Sequence, residues 1–556
     1  MADRRKNPRG GTSRRRANAG DFTTTRRVLP LSLLALAIGV VCAFVSQALL
    51  ALIGLFTNLF YFHRCSFAGV SPNAHHLSPA VALLAPVGGG IVIGMMARFG
   101  SDKIRGHGIP EALEAILQRG SRVQPRVAVL KPVSAAISIG SGGPFGAEGP
   151  IIVTGGSLGS LLGQLFSLSS AERKTLLVAG AAAGMSATFA SPVAALVLAI
   201  ELLLFELKPR SFIPVAIASA TAAAVRYMIQ GPGVLFAMAP LPAFVGPRAL
   251  LACLAVGILG GALSACMTAA VYACEDAFAR LPIHWMWWPA LGGLVVGTGG
   301  LLCPEALGVG YERIHALLSG DVPIKAMALL AAVKFTIWAV SLGSGTSGGV
   351  LAPVLMLGCT LGGLGQTFLP PVTPGFWPLV GMGATLAGTM GAPLTAVVFA
   401  LELTGDGHAL LPVLLAGSAA YAFTVLTLKR SILTEKLARR GQHISREYAV
   451  DALETALVRE VMREAPSPCV AGEEPLAYAD EPVRLAIHRM IEHRVLELPV
   501  FAREPSGGRL GLFSVEDALK ARQRHHHDEH RRDRTRLADL LRPVRSPPKR
   551  SPGHGS

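Results

Sequence analysis

Charge is scarce in this sequence: only 15% of its 556 residues are Asp, Glu, Lys or Arg, against about a quarter in soluble globular proteins. With 51% hydrophobic residues, the deficit excludes an ordinary soluble enzyme and points to a chain that lives in a membrane. The eight cysteines, at 42, 65, 253, 266, 274, 303, 359 and 469, include no C-x-x-C pair. Their scatter excludes a zinc cluster and a secreted disulfide framework, and they read as small core residues. Also missing is H-E-x-x-H or any comparable pairing of nucleophile and base, which argues against an intramembrane enzyme such as a protease.

Acidic residues are fewer than basic ones, and the resulting net charge of +16 is unevenly placed: nine Lys and Arg fall in residues 1–27 and 24 in 429–556. Because Lys and Arg collect on the cytoplasmic side of membrane spans, both termini are expected in the cytoplasm of a multi-pass protein of the cell membrane, with an even number of crossings. Residues 1–27 then form a basic cytoplasmic arm. The apolar run 28–55 is too long for a signal-peptide core and lacks a small-residue cleavage site, so it reads as the first membrane helix. Neither basic end has the aromatic interleaving or motif of a nucleic-acid binder, and no nucleic-acid partner is expected.

Between 28 and 428 the apolar segments are crowded, often short, and separated by Gly, Pro and single charges. Such a stretch holds roughly 14–18 helices, some below the approximately 20 residues that a hydrocarbon core demands. Broken or re-entrant helices follow, and irregular backbone at that depth is tolerated only where protein or an aqueous cavity covers it, which implies a pathway. Three landmarks recur in order about 200 residues apart. Lys131 precedes GSGGPFGAEGP (140–150) by nine residues, as Lys334 precedes GSGTSGGVLAP (343–353). Pro192 precedes Glu201 by nine, as Pro393 precedes Glu402, and Gly106-His107-Gly108 is echoed by Gly308-Val309-Gly310. Two similar halves, about 28–230 and 245–428, are therefore expected to meet across a pseudo-symmetry axis, where transporters of this construction carry their site.

Glycine-rich turns that open helices leave backbone N–H groups unpaired at the positive end of a helix dipole, a cradle for an anion. Three such turns occur: Gly106-His107-Gly108-Ile109-Pro110, Gly146-Ala147-Glu148-Gly149-Pro150 and Gly349-Val350-Leu351-Ala352-Pro353. Each ends in a proline suited to a first helical turn. One alone reads as small-residue helix packing. Three brought together would bind a desolvated anion weakly enough to release it. Glu148 stands out because the repeat puts Leu351 opposite it. A carboxylate at that mouth would fill the site when ionised and leave it when protonated or displaced, which makes a gate. Glu201 and Glu402 are matched in both halves and are expected to be structural, near helix ends. Lys131 and Lys334 are matched too and are expected to snorkel to the membrane interface.

GHGIPE, GSGGPFGAEGP, GSGTSGGVLAP and the run GAPLTAVVFALELTGD (391–406) together resemble the CLC chloride channel and transporter family, over roughly 28–440. The resemblance implies an all-α polytopic membrane fold of about eighteen helices in two inverted repeats with broken helices. It also implies a homodimer with one pore per subunit, and Glu148 as the external gating glutamate. Residues 429–450 resemble the connector, and 451–522 a small α/β CBS-like cytoplasmic domain. There, following 458–462, the segments 482–493, 495–500, 510–513 and 516–522 read as helix, strand, strand and helix. One CBS motif is present, with a truncated second copy expected near 537–544, so an adenine nucleotide there would need the dimer mate or that copy. Residues 523–556 read as a disordered tail, and His525–His527 as part of it rather than a metal site.

Three departures from the family pattern bear on function. His107 stands where many members have serine, and it either donates an N–H to the anion or points away while backbone amides serve it. The pore tyrosine of the family aligns with Ile432, which removes a second hydroxyl donor. The internal proton-transfer glutamate of the exchangers falls at Leu202, which relays no protons. The expected activity is therefore passive or weakly coupled chloride conduction, gated by Glu148 and modulated through the CBS-like domain, with loose anion selectivity. The alternative is a proton-coupled chloride antiporter. An intramembrane enzyme and a nucleotide sensor are disfavoured, and neither a resident cofactor nor a metal is expected.

Overall fold

In the computed structural model the chain divides into two compact units, Met1–Arg446 and Glu447–Ser556. The residues described are 25–74, 77–118, 121–428, 430–439, 453, 456–467, 475–502 and 509–530. The arm before residue 25, most of the connector beyond 439 and the expected second CBS copy at 537–544 lie outside them.

The first unit is helical. Among the described residues, eight α-helices fill its first half: α1 (Val28–Phe62), α2 (Pro79–Phe99), α3 (Ile109–Gln118), α4 (Pro125–Gly140), α5 (Glu148–Leu165), α6 (Ser170–Phe189), α7 (Pro192–Leu198) and α8 (Pro209–Gln230). Eight more repeat the order: α9 (Pro247–Ala279), α10 (Trp288–Leu302), α11 (Tyr311–Ser319), α12 (Ile324–Gly343), α13 (Leu351–Gly365), α14 (Phe376–Met390), α15 (Pro393–Thr404) and α16 (Leu410–Thr427). Among the described residues, the unit ends on α17 (Ile432–Arg439). Lengths are kept as well as order, since the long first helices have 35 and 33 residues and the short third ones 10 and 9. Among the described residues, six stretches are long and apolar enough to cross a membrane, while α7, α13 and α15 are apolar but shorter.

Packing repeats with the order. α1 lies on α8 as α9 lies on α16, and α5 on α6 as α13 on α14. In the second pair of interfaces the backbones touch. A Cβ on Gly155 would lie 2.2 Å from the carbonyl oxygen of Gly180, and one on Gly358 would lie 2.7 Å from that of Gly381. Small residues are what allow such approach where lipid supplies no hydrophobic drive between helices. The halves are joined by α2 against α10 and α7 against α15. This is the all-α, two-repeat membrane architecture with broken helices that the motif order implies.

The second unit carries a four-stranded sheet in the order β1-β4-β3-β2, with β1 (Arg463–Ser467), β2 (Ala477–Tyr478), β3 (Glu497–Phe501) and β4 (Arg509–Ser514). β2 and β3 are parallel, joined through α19 (Val483–His493); β4 runs antiparallel to both neighbours. A one-turn α18 (Val458–Val461) precedes the sheet and α20 (Val515–His530) follows it. Val458, Val483, Met490, Leu498, Val500 and Phe513 form the core. Two expectations from the sequence are corrected here. The sheet has two strands more than its pattern indicates, because β1 contains Pro466 and β2 has only two residues, too few to show alternation. The last helix continues to His530, into the segment expected to be disordered, because residues 518–530 contain no Gly or Pro to stop it.

Candidate functional site

The three glycine turns come together. Gly106 N–H donates to the Thr346 carbonyl at 3.2 Å, and Gly348 N–H returns a bond to Gly106 at 3.4 Å. Gly349 N–H donates to Gly146 O at 2.9 Å, with the reciprocal bond at 3.4 Å. A Cβ on Gly149 would lie 2.0 Å from the His107 carbonyl oxygen, and one on Gly108 would lie 2.9 Å from that of Gly149. The turn before α3 is thus pressed against the first turn of α5, and both are stitched to the start of α13. Gly106 and Gly108 have φ of 80° and 92°, a conformation glycine adopts without steric cost.

The dipole ends of α3, α5 and α13 consequently meet in one buried region. Ile109 and Pro110 open α3, Ala147 precedes α5 with Gly149 and Pro150 in its first turn, and Val350 precedes α13, which Leu351 opens. Glu148, fully buried, reaches across to the other half: its Oε1 accepts the Ala352 N–H at 2.7 Å. Its Oε2 has no hydrogen-bond partner among the described residues. A Cβ on Gly146 or on Gly349 would fall 1.8 Å or 2.4 Å from that oxygen, so both glycines leave the room the carboxylate occupies. An anionic group therefore sits on the N-terminus of α13, where unpaired N–H groups and the dipole favour negative charge.

His107 is buried and its Nδ1 is without a hydrogen-bond partner among the described residues. Ile432 is fully buried at the start of α17, and its carbonyl accepts the Tyr272 hydroxyl at 2.6 Å. Leu202 is fully buried in a π-helical turn, Ala199–Leu204, that continues α7.

Two lysines correct the sequence reading. Rather than snorkelling to an interface, Lys131 and Lys334 are completely buried. Lys131 Nζ donates to the carbonyls of Ile104 and Gly106 at 2.7 and 2.6 Å, and Lys334 Nζ to those of Ala306 and Gly308 at 2.9 and 2.8 Å. The glycine turns direct carbonyls inward, and a buried ammonium satisfies two of them in each half. Lys334 lies within electrostatic reach of Glu148.

The paired glutamates are reciprocal caps. Glu201 accepts the backbone N–H groups of Leu394 and Thr395 at 3.2 and 2.8 Å and the Thr395 hydroxyl at 2.6 Å; Glu402 accepts those of Val193 and Ala194 at 2.9 and 2.7 Å. Each half thereby caps the N-terminus of a short helix in the other.

Sequence reasoning does not reach a charged group beneath the His107 turn. Lys436, one turn into α17, bonds Glu111 of α3 at 2.7 Å, and a Cβ on Gly106 would lie 2.5 Å from its Nζ. The sequence holds a signal for it, since Glu111 closes the GHGIPE motif and Lys436 sits in the connector. Arg105, just before the turn, stacks on Trp285 with its guanidinium 4.7 Å from the ring.

Known proteins resemble this chain in sequence and in fold. A family described as "Voltage gated chloride channel" covers residues 88–425. A "chloride channel protein ClcB-like" of Ralstonia nicotianae is 30% identical over 67% of this chain and 89% of its own length. The "Voltage-gated ClC-type chloride channel ClcB" of Escherichia coli is 29% identical over 74% of this chain and 99% of its own. Among solved structures, a slow cyanobacterial Cl-/H+ antiporter superposes with a TM-score of 0.67 at 22% identity, over 75% of this chain and 99% of that one. A CLC-type fluoride/proton antiporter does so with 0.61 at 19%, over 72% and 97%. The ordered motifs, the repeated helices and these matches converge: the chain belongs to the voltage-gated chloride channel (CLC) family, multi-pass membrane proteins that transport anions.

Proposed function

We propose that this chain conducts chloride passively or with weak proton coupling, and that the Glu148 carboxylate is its gate. The observation that carries the reading is the bond from Ala352 N–H to Glu148 Oε1 at 2.7 Å. An ionised carboxylate is itself an anion, so it competes with chloride for the N–H groups of α13, and protonation or displacement opens the path. Around it, the turns of α3 and α5 offer further N–H groups without a formal positive charge in the path, which favours passage over trapping. His107 Nδ1, buried and without a partner among the described residues, is the remaining side-chain donor of the first turn.

Leu202 supports weak coupling. It is buried and apolar where the exchangers of the family carry their internal glutamate, and the relatives at 29–30% identity are named chloride channels. A second reading, obligate exchange of chloride for protons, is favoured by two solved proteins of like fold, a Cl-/H+ antiporter and a fluoride/proton antiporter. In sealed liposomes an outward chloride gradient drives proton uptake in an exchanger and not in a channel. Proton movement at a fixed ratio to chloride would replace the first reading by the second.

The working unit in this proposal is a homodimer with one path per subunit and both termini cytoplasmic, following the excess of Lys and Arg at the ends. The CBS-like unit modulates the gate from that side. An adenine nucleotide there requires the dimer mate or the second copy of the motif.

A further inference from the structure

We propose that the Tyr311 hydroxyl is an anion donor on the Glu148 side of the path, replacing in this chain the side-chain hydroxyls absent at His107 and Ile432. The inference rests on the anion-transport reading above and adds a residue that its motifs do not contain. Tyr311 opens α11 directly after Gly310, whose φ of 79° turns the chain sharply there. It lines a cavity of about 450 Å³ together with Ser71, Asn73, Glu305, Glu312 and Arg313, and Arg313 is ion-paired to Glu305.

Three observations separate it from a packing tyrosine. First, its hydroxyl is buried with no hydrogen-bond partner among the described residues, as is Glu148 Oε2. Buried hydroxyls are almost always paired, and an unpaired one asks for a partner that comes and goes. Second, Tyr311 lies within electrostatic reach of Glu148, on the turn whose carbonyls Lys334 holds. Third, the repeat is broken there. Lys131 bonds the Gly106 carbonyl and Lys334 the Gly308 carbonyl, and three residues beyond these stand Ile109 and Tyr311. The half that lacks the gating carboxylate thus has the hydroxyl, and the half that has the carboxylate lacks the hydroxyl.

With Glu148 seated on α13, the hydroxyl has nothing to donate to. An anion that takes the place of the carboxylate receives the O–H as well as the backbone N–H groups. One donor of this kind favours compact charge, so it sharpens preference for chloride over nitrate or iodide.

Tyr311→Phe tests this, because the ring keeps its edge-on contacts with Phe189 and Phe236, at 6.2 and 6.0 Å between centroids. Chloride binding by titration calorimetry and chloride efflux from liposomes are measured for the parent and Tyr311→Phe, each with Glu148 intact and as Glu148→Gln. The proposal expects chloride affinity to fall about tenfold, the loss of one hydrogen bond to a charged group, in both backgrounds, with the nitrate affinity falling less and the melting temperature unchanged. Unaltered chloride affinity in Tyr311→Phe overturns it. So does an effect seen only with Glu148 intact, which assigns the hydroxyl to the carboxylate instead. A parent that neither binds nor moves chloride sinks the anion-transport reading itself, whereas in a parent that does both the Tyr311→Phe result bears on the hydroxyl alone.

Discussion

Replacing Lys334 by methionine removes an ammonium while keeping an unbranched side chain of similar volume. In the folded protein that ammonium is fully buried and bonds the carbonyls of Ala306 and Gly308 at 2.9 and 2.8 Å. Two hydrogen bonds to a charged group are worth about 1.5–3 kcal/mol each. Burying the charge costs several kcal/mol, so these two terms roughly cancel. What remains is the cost of two orphaned carbonyls, about 1–3 kcal/mol each, giving a net destabilisation of about 2–6 kcal/mol. Lys334 also lies within electrostatic reach of Glu148, so its charge draws anions toward the site. Lys334→Met is therefore expected to unfold at a lower temperature in detergent, by the equivalent of about 2–6 kcal/mol, and to bind chloride more weakly than the parent. Lys334→Arg should not restore either property, because a planar guanidinium cannot place its donors as an ammonium does. A Lys334→Met protein that melts with the parent and binds chloride equally well would refute the reasoning for both lysines.

Glu402→Ala leaves the N–H groups of Val193 and Ala194 uncapped at the start of α7, and Glu201→Ala does the same at α15; each is expected to cost about 1–2 kcal/mol, read as a lower thermal midpoint with chloride affinity unchanged. Removing the chain after Arg440 should leave chloride flux through the first unit intact while altering its dependence on pH or nucleotide; reconstituted protein with the parental responses would reduce the second unit to a scaffold.

The repeat is legible because spacing survives where identity does not. Lys131 and Lys334, each nine residues before a glycine run, announce matched elements, and eight helices in each half follow. Their role is hidden because a lone cation in an apolar stretch is ordinarily an interfacial one. Only the carbonyls of 104, 106, 306 and 308, turned inward beside glycines of positive φ, explain their burial. Glu148 is legible as an interruption of symmetry. Tyr311 interrupts the same symmetry, yet an aromatic residue at a helix start ordinarily reads as packing and so gives no signal. The Lys436–Glu111 pair joins residues more than three hundred positions apart, a separation no local pattern encodes. In the second unit, short strands such as β2 take their pairing from β3 rather than from their own sequence.

The most direct test of the central claim is chloride flux per folded protein against external pH, for the parent and Glu148→Gln. Glutamine imitates the protonated carboxyl, and at that position it cannot act as an anion on the Ala352 N–H. The parent should gain flux as pH falls from roughly 7 to 4, toward the range where a glutamate protonates. Glu148→Gln should carry high flux throughout with a flat profile. A Glu148→Gln profile that keeps the parental shape would mean that the carboxylate packs or caps and gates nothing.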